Sequence, residues 1–257
     1  MKLRELLQLL KQVQGNIGTS PPYICGGVPR DKYMNRLENI SDIDITTGDK
    51  SVDYLSEMFS DELRKKYNVT RRTMADGHSS IFVGSLKMDF SSNFNTPNID
   101  ELLQKMGIRN PSKMQKEIYS RDFTCNSLLM SLDLKNIIDP TKHGFPDIKD
   151  RKIKTCLTPE ITLTANKNRV VRAVYLACKL NFDVDDSIIN YVSKNPQAVT
   201  FSTEKSMAEK LGEAFTRDGD KASYLLTKMG LWNYVPIVEP AYQYYQKHLQ
   251  GKTNVKK

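Results

Sequence analysis

Apolar positions set out the first elements of the chain. Leu3, Leu6, Leu7 and Leu10 recur at helical spacing with charged residues between them, which predicts an amphipathic helix ending near Gly15. A polar loop through Pro21 and Pro22 leads into a short apolar run, Tyr23–Cys25, which reads as a strand. Gly26 and Gly27 then make a turn. Pro29 suits the first position of a helix over about residues 29–37, because its missing N–H is not needed there. From Asp42 to Thr47 acids alternate with isoleucines, the period of a half-buried strand. Ser51 caps a helix through about Lys66, with Tyr54, Leu55, Met58, Phe59 and Leu63 as its apolar set. Three strand-like runs follow, Asn68–Thr73, Ser79–Val83 and Lys87–Ser91, punctuated by Gly77 and Gly84.

Residues 93–111 are rich in Asn and Pro, with a short helix expected at 99–106. Helical patterning resumes at Ser112 and is expected to continue into Phe123–Leu132. After Ile137-Ile138-Asp139-Pro140 the strand-like runs stop. The rest reads as helices, including Arg169–Leu180, Glu204–Phe215, Ala222–Met229 and Val238–His248, and the Lys-rich last residues read as disordered. No internal repeat is visible. Strand, helix, meander and then helices predict an α+β chain with a mixed sheet, not a doubly wound parallel one.

With 257 residues the chain has room for one large domain or two to three small ones. A net charge of +8 fits an anionic partner such as RNA or nucleotides, although many proteins are basic for solubility alone. Cys25, Cys125, Cys156 and Cys178 lie far apart in apolar segments and form no Cys-x-x-Cys pair. They read as reduced, buried thiols, not a disulfide frame or a zinc site. No run approaches the roughly 18 apolar residues of a membrane span, and the N-terminal pattern is unlike a signal peptide. A soluble, cytoplasmic protein without a membrane partner is expected.

On a strand, Asp42 and Asp44 share one face about 6–7 Å apart, while Ile43 and Ile45 face a core. Carboxylates at that spacing can share divalent cations. Gly26 and Gly27 let backbone N–H groups approach a phosphate closely, and the following helix aims its N-terminus at the same place. Asp89, in Lys-Met-Asp-Phe, is a polar residue directed out of an otherwise packed strand and a candidate third metal ligand. Asp-Ile-Asp alone would suit a plain surface strand. Gly-Gly-x-x-Arg-Asp just upstream argues for the site.

Four motifs give the chain its resemblance to a family. Gly26-Gly27-Val28-Pro29-Arg30-Asp31 with Asp42-Ile43-Asp44 is the first, and Gly77-His78-Ser79-Ser80 ahead of Asp89 is the second. The third is Ser120-Arg121-Asp122-Phe123-Thr124-Cys125-Asn126. The fourth is Ile138-Asp139-Pro140 followed by Gly144 and Asp147-Ile148. In this order they resemble the class II RNA nucleotidyltransferases, the CCA-adding enzymes and bacterial poly(A) polymerases of the DNA polymerase beta superfamily. Fainter likeness runs through Arg169-Val-Val-Arg172-Ala-Val to Gly230-Leu231.

The resemblance implies a nucleotidyltransferase head at residues 1–141, an all-α neck that selects the base at 142–197, and a short RNA-binding helical body at 198–257. It implies two Mg²⁺ ions held by Asp42, Asp44 and Asp89, bridging an NTP, CTP or ATP above all, to an RNA 3′-hydroxyl. Gly26 and Gly27 would hold the phosphates with Arg30 as a bidentate clamp. Arg121, Asp122 and Asn126 would meet the ribose. The acceptor implied is a tRNA 3′-end.

Departures from the family bear on specificity. Its base-choosing Glu-Asp-x-x-Arg is here Ala165-Asn166-Lys167-Asn168-Arg169. Asn166 and Arg169 are expected to act together from one helix face, with Arg172 beyond them. An aspartate only accepts hydrogen bonds, whereas Asn166 also donates, so weaker and broader nucleotide selection is expected. The alternative for Asn166 is a helix cap. Ser120 stands for the first Arg of the ribose motif, and Asn93-Phe94 for a basic strand end. A poly(A)-tailing enzyme or a tRNA-modifying toxin would use the same residues. The reading from a different class is a catalytically idle RNA-binding protein, against which the retained acids argue.

Overall fold

The computed structural model describes residues 3–37, 39–74, 78–92, 96–199 and 204–254. Gly77 and the Asn93-Phe94 departure lie outside the described residues. The chain divides into two compact units, Met1–Ile148 and Lys149–Lys257.

In the first unit, α1 (Leu3–Ile17) precedes β1 (Tyr23–Cys25), α2 (Gly27–Tyr33) and β2 (Asp42–Thr46). Then come α3 (Ser51–Arg64) and the strands β3 (Val69–Thr73), β4 (Ser79–Val83) and β5 (Leu86–Phe90). Helices α4 (Ile99–Lys105) and α5 (Lys113–Tyr119), a 3₁₀ turn at Thr124–Asn126, β6 (Leu129–Met130), β7 (Ile137–Ile138) and α6 (Gly144–Lys149) complete it. The strands form one sheet in the order β3-β4-β5-β2-β1-β6-β7. β2 and β5 pair in parallel and the other neighbours antiparallel, which makes the sheet mixed.

The period-two alternation sorts the two faces of this sheet. Ile24, Ile43, Ile45, Ile81, Met88, Phe90 and Met130 pack with Leu6, Leu7 and Leu10 of α1 and Leu55, Phe59 and Leu63 of α3 in one buried cluster. On the other face Cys25 and Leu129 pack against Ile118 and Met114 of α5. That helix begins in a capping box, Ser112 accepting from Gln115 N–H and Gln115 returning the bond. Fully burying one Leu, Ile or Phe side chain stabilises a fold by about 1.5–3 kcal/mol, so the first cluster dominates this unit.

The helix expected over Phe123–Leu132 is replaced by the 3₁₀ turn and β6. Leu129 and Met130 face opposite clusters, and a strand buried on both faces shows no alternation that would separate it from a helix. Helix α3 starts at Ser51 but takes its capping bonds from Asp49, whose Oδ1 accepts from the Ser51 N–H at 3.0 Å.

The second unit contains β8 (Lys152–Ile153), α7 (Pro159–Ala165), α8 (Arg169–Leu180), β9 (Asp183–Val184), α9 (Asp186–Lys194), α10 (Glu204–Lys228) and α11 (Tyr242–Asn254). β8 and β9 form a two-residue parallel ladder, and the rest of the regular structure is helical. α8 is the buried centre, with Val170, Ala173, Val174 and Ala177 fully covered. α10 breaks at Asp218, which leaves helical φ/ψ. Asp218 Oδ1 there accepts from the Lys221 N–H at 3.0 Å, capping the second half as a new helix start. The separate helices read at Glu204–Phe215 and Ala222–Met229 are the two arms of this bent helix.

Candidate active site

Sheet register assembles the acids. Asp44 on β2 lies opposite Asp89 on β5, Ser80 on β4 opposite Asp89, and Cys25 on β1 opposite Asp44. Paired residues share a face, so Ser80, Asp89, Asp44 and Cys25 form one row across four strands. Asp42 and Lys87 are paired in the row beside it. Neighbouring strands lie about 4.8 Å apart, so Asp44 and Asp89 are closer across the sheet than Asp42 and Asp44 are along it. The Asp42 side chain is 61% exposed and that of Asp89 26%, which places Asp42 at the rim.

Asp89 is fully engaged. Its Oδ1 accepts from Ser80 Oγ at 2.5 Å, and its Oδ2 accepts from the Lys87 ammonium. Lys87 Nζ also lies 3.9 Å from Asp42 Oδ1. Partial burial acts to lower the Lys87 pKa, but the Asp89 hydrogen bond and the charges of Asp89, Asp42 and Asp44 outweigh it and raise it above its ordinary value. Among the described residues, no three acidic, His or Cys side chains converge closely enough to hold a metal ion as they stand. The donors themselves, carboxylate oxygens on adjacent strands, have the chemistry of a hard divalent cation site.

The Gly-Gly turn fits against this row. Gly26 has φ 72, and a Cβ there would overlap the Asp44 Oδ2 atom. A side chain at this position would force the Asp44 carboxylate to shift. Arg30, on the helix that follows, is only 2% exposed. Its Nε and Nη2 each lie 2.8 Å from Asp31 Oδ1, and its Nη1 donates to Asn126 Oδ1 at 2.5 Å. The clamp expected of Arg30 is, in this conformation, an internal strut tying α2 to the 3₁₀ turn.

Arg121 is likewise turned inward. Its Nε and Nη2 donate to Glu117 Oε1 at 3.0 and 2.6 Å, and its Nη2 also meets Cys25 Sγ at 3.0 Å. Burial works to lower the Arg121 pKa, but Cys25 and Glu117 hold it well above its ordinary value. Burial pushes the Cys25 thiol far up, and that of Cys125 up to about 12, so neither is a nucleophile near neutral pH. Asp122 Oδ1 accepts from the Phe123 N–H at 2.8 Å. Thr124 Oγ1 donates to Asp147 Oδ2 at 2.7 Å, and Asp139 Oδ2 accepts from the Phe145 N–H at 3.0 Å at the start of α6. The ribose motif and the Ile138-Asp139-Pro140…Asp147 motif are thus parts of one hydrogen-bonded frame.

A separate cleft of about 550 Å³ opens near Tyr23, Thr47, Met114, Leu129 and Ile138. None of the three acids lines it, so the chemistry is assigned to the carboxylate row instead.

In the second unit, Asn166 does not lie on a helix with Arg169. It ends α7 in an extended conformation, and its Oδ1 accepts from the Asn168 N–H at 3.0 Å. This local turn wins because an Asn side chain competes with the helical backbone bonds. Arg169 opens α8, is 9% exposed, and donates from Nη1 to the Thr162 carbonyl at 3.0 Å. Arg172 is exposed. All four cysteines are free and buried.

The sequence reading missed Lys87, Cys25 and Glu117 as neighbours of the site, while Ser80 belongs to the motif read ahead of Asp89. Lys87 carried a usable signal, since it lies two residues before Asp89 on one strand and so shares its face. Glu117 lies four residues before Arg121, a helical ion-pair spacing.

The chain has counterparts among known proteins. A CCA-adding enzyme of Staphylococcus epidermidis is 24% identical over 237 residues, covering 89% of this chain and 54% of that protein. The Bacillus stearothermophilus CCA-adding enzyme solved in complex with CTP superposes with a TM-score of 0.69 at 19% identity, over 93% of this chain and 55% of that one. The Thermotoga maritima CCA-adding enzyme complexed with tRNA gives a TM-score of 0.65 at 19% identity, over 90% and 51%. The chain spans about half the length of each of these relatives. Among the described residues no helix is long and apolar enough to cross a membrane. The profile of the poly(A) polymerase head domain matches residues 22–154, more than half of the chain, and the protein therefore belongs to this family, the class II RNA nucleotidyltransferases.

Proposed function

We propose that the chain is a metal-dependent nucleotidyltransferase that adds nucleotides from NTP to an RNA 3′-end, with tRNA as its acceptor. The observation that carries this reading is the pairing of Asp44 with Asp89, with Asp42 at the rim and the side-chain-free Gly26 against Asp44. The relatives named CCA-adding enzymes, solved with CTP and with tRNA, support NTP and tRNA as substrates. The four buried free thiols support a reducing, cytoplasmic setting.

Each residue has a proposed task. Asp42, Asp44 and Asp89 would hold Mg²⁺, which when bound lowers the pKa of an RNA 3′-hydroxyl and neutralises the leaving pyrophosphate. Gly26 and Gly27 offer backbone N–H groups to the triphosphate. Arg30 and Arg121 act from inside, holding Asn126 and the carboxylate row in place, while Asp122 and Asn126 are the ribose contacts. We assign catalysis to residues 1–141, base selection to 142–197 and RNA binding to 198–257.

Asn166, Arg169 and Arg172 are the proposed base-choosing set. With the Asn166 carbonyl occupied by Asn168, the side-chain donor that remains is its NH₂. The carbonyl oxygen keeps a second lone pair that can accept from the amine of C or A, while the NH₂ suits a base carbonyl, so selection is broadened from C and A to include U. The experiment offers each of the four NTPs with two acceptors, a tRNA lacking its 3′-terminal residues and an unstructured RNA. Extension of the tRNA with C and A, and with U within about tenfold of them, is the expected outcome. Extension of the unstructured RNA with A alone would favour a tailing enzyme, and sharp rejection of U would remove the role given to Asn166.

A further inference from the structure

Asp44 and Asp89 face one another across parallel strands, and Asp42 stands in the adjoining row. Like charges paired in register destabilise a sheet, so the row needs a cation. Lys87 is placed to supply it: it is paired with Asp42, ion-pairs with Asp89, and its Nζ lies 3.9 Å from Asp42 Oδ1. Ser80 occupies the other oxygen of Asp89, so the ammonium and the hydroxyl together engage that carboxylate. The side chain is 38% exposed, on a long flexible stem that can swing out into water.

We propose that Lys87 is a built-in counter-ion of the three carboxylates, which a divalent cation must displace, so that this lysine sets the metal affinity of the site. The proposal rests on the reading of Asp42, Asp44 and Asp89 as the metal site. A divalent ion outcompetes the ammonium because it carries twice the charge and accepts several oxygens at once. The lysine thereby offsets part of the triad's negative charge when no metal is bound, at the expense of weaker metal binding.

The test is a Mn²⁺ titration of the full chain without nucleotide, following free Mn²⁺ by its EPR signal, with Mn²⁺-induced thermal stabilisation as a second readout. Lys87→Met should bind Mn²⁺ about tenfold more tightly than wild type, since one competing charge has gone. Lys87→Arg, which keeps a cation, should stay within about threefold of wild type. Asp44→Asn should lose the ion. Lys87→Gln serves as a second neutral variant should Lys87→Met fold poorly. If the neutral variants bind no more tightly than wild type while Asp44→Asn loses the ion, the counter-ion role is wrong and the metal site stands. If Asp44→Asn binds like wild type, or no protein binds Mn²⁺, the metal-site reading fails and this proposal with it.

Discussion

The absence of a side chain at Gly26 is what lets the Asp44 carboxylate take its position. Gly26→Ala would place a methyl group on Asp44 Oδ2 and force a residue with a Cβ into φ 72. Such strain costs about 1–3 kcal/mol, and a displacement near 1 Å at a reacting centre can cost about a hundredfold in rate. The variant should therefore fold with a lowered Tm and lose about a hundredfold in kcat for nucleotide incorporation. The Arg121–Glu117 pair is structural by contrast. Glu117 is 0% exposed, so Arg121→Met would strand a buried charge and should cost about 3–5 kcal/mol in urea unfolding. Adding Glu117→Gln should return part of that loss, because an unpaired charge is then no longer buried. At this scale the three acids were legible because period two puts Asp42 and Asp44 on one face. The inward turn of Arg30 and Arg121 was not, because a motif gives residue types and says nothing of where their side chains turn.

Elements bounded by turn residues or marked by a broad apolar stripe match the sequence reading, and a buried strand without such marks does not. The predicted strands at Tyr23–Cys25 and Ser79–Val83 match β1 and β4, each bounded by glycine in the sequence, and the helix Arg169–Leu180 matches α8, which has the broad stripe. β6 reads as helix in the sequence because both of its residues are apolar and buried. Asn166 reads as helical in the sequence because nothing in Ala165-Asn166-Lys167-Asn168-Arg169 announces that its side chain closes a turn. The start of α3 holds a further lesson, since Asp49 and not Ser51 provides the cap. Partial burial of Asp49 works to raise its pKa, but hydrogen bonds from Ser51, Ser20 and Lys113 outweigh it and lower it to about 2. Unfolded, the group titrates near its ordinary value of about 3.9. A depressed folded pKa adds stability above the unfolded value and loses it as pH falls through the folded one. Asp49→Asn should thus destabilise the protein near neutral pH, with the difference from wild type shrinking between about pH 4 and 2 in acid unfolding.

For the whole molecule, two units divide the proposed labour. The first carries the carboxylate row and its frame, and the residues that depart most from the family pattern, Ala165 and Asn166, lie in the second. On the proposed assignment, chemistry and choice of base are separable by mutation. The order of the four motifs was enough to indicate the family, because each motif needs its own strand, turn or helix start along the chain. The central claim is that Asp42, Asp44 and Asp89 form a metal-dependent nucleotidyl-transfer centre. The most direct measurement is incorporation of labelled nucleotide into a tRNA lacking its 3′-terminal residues, comparing wild type with Asp42→Ala, with and without Mg²⁺. The account predicts incorporation by wild type with Mg²⁺ alone and a loss of at least about a thousandfold in Asp42→Ala. Equal incorporation by the two proteins, or RNA binding by both with no incorporation by either, would contradict it.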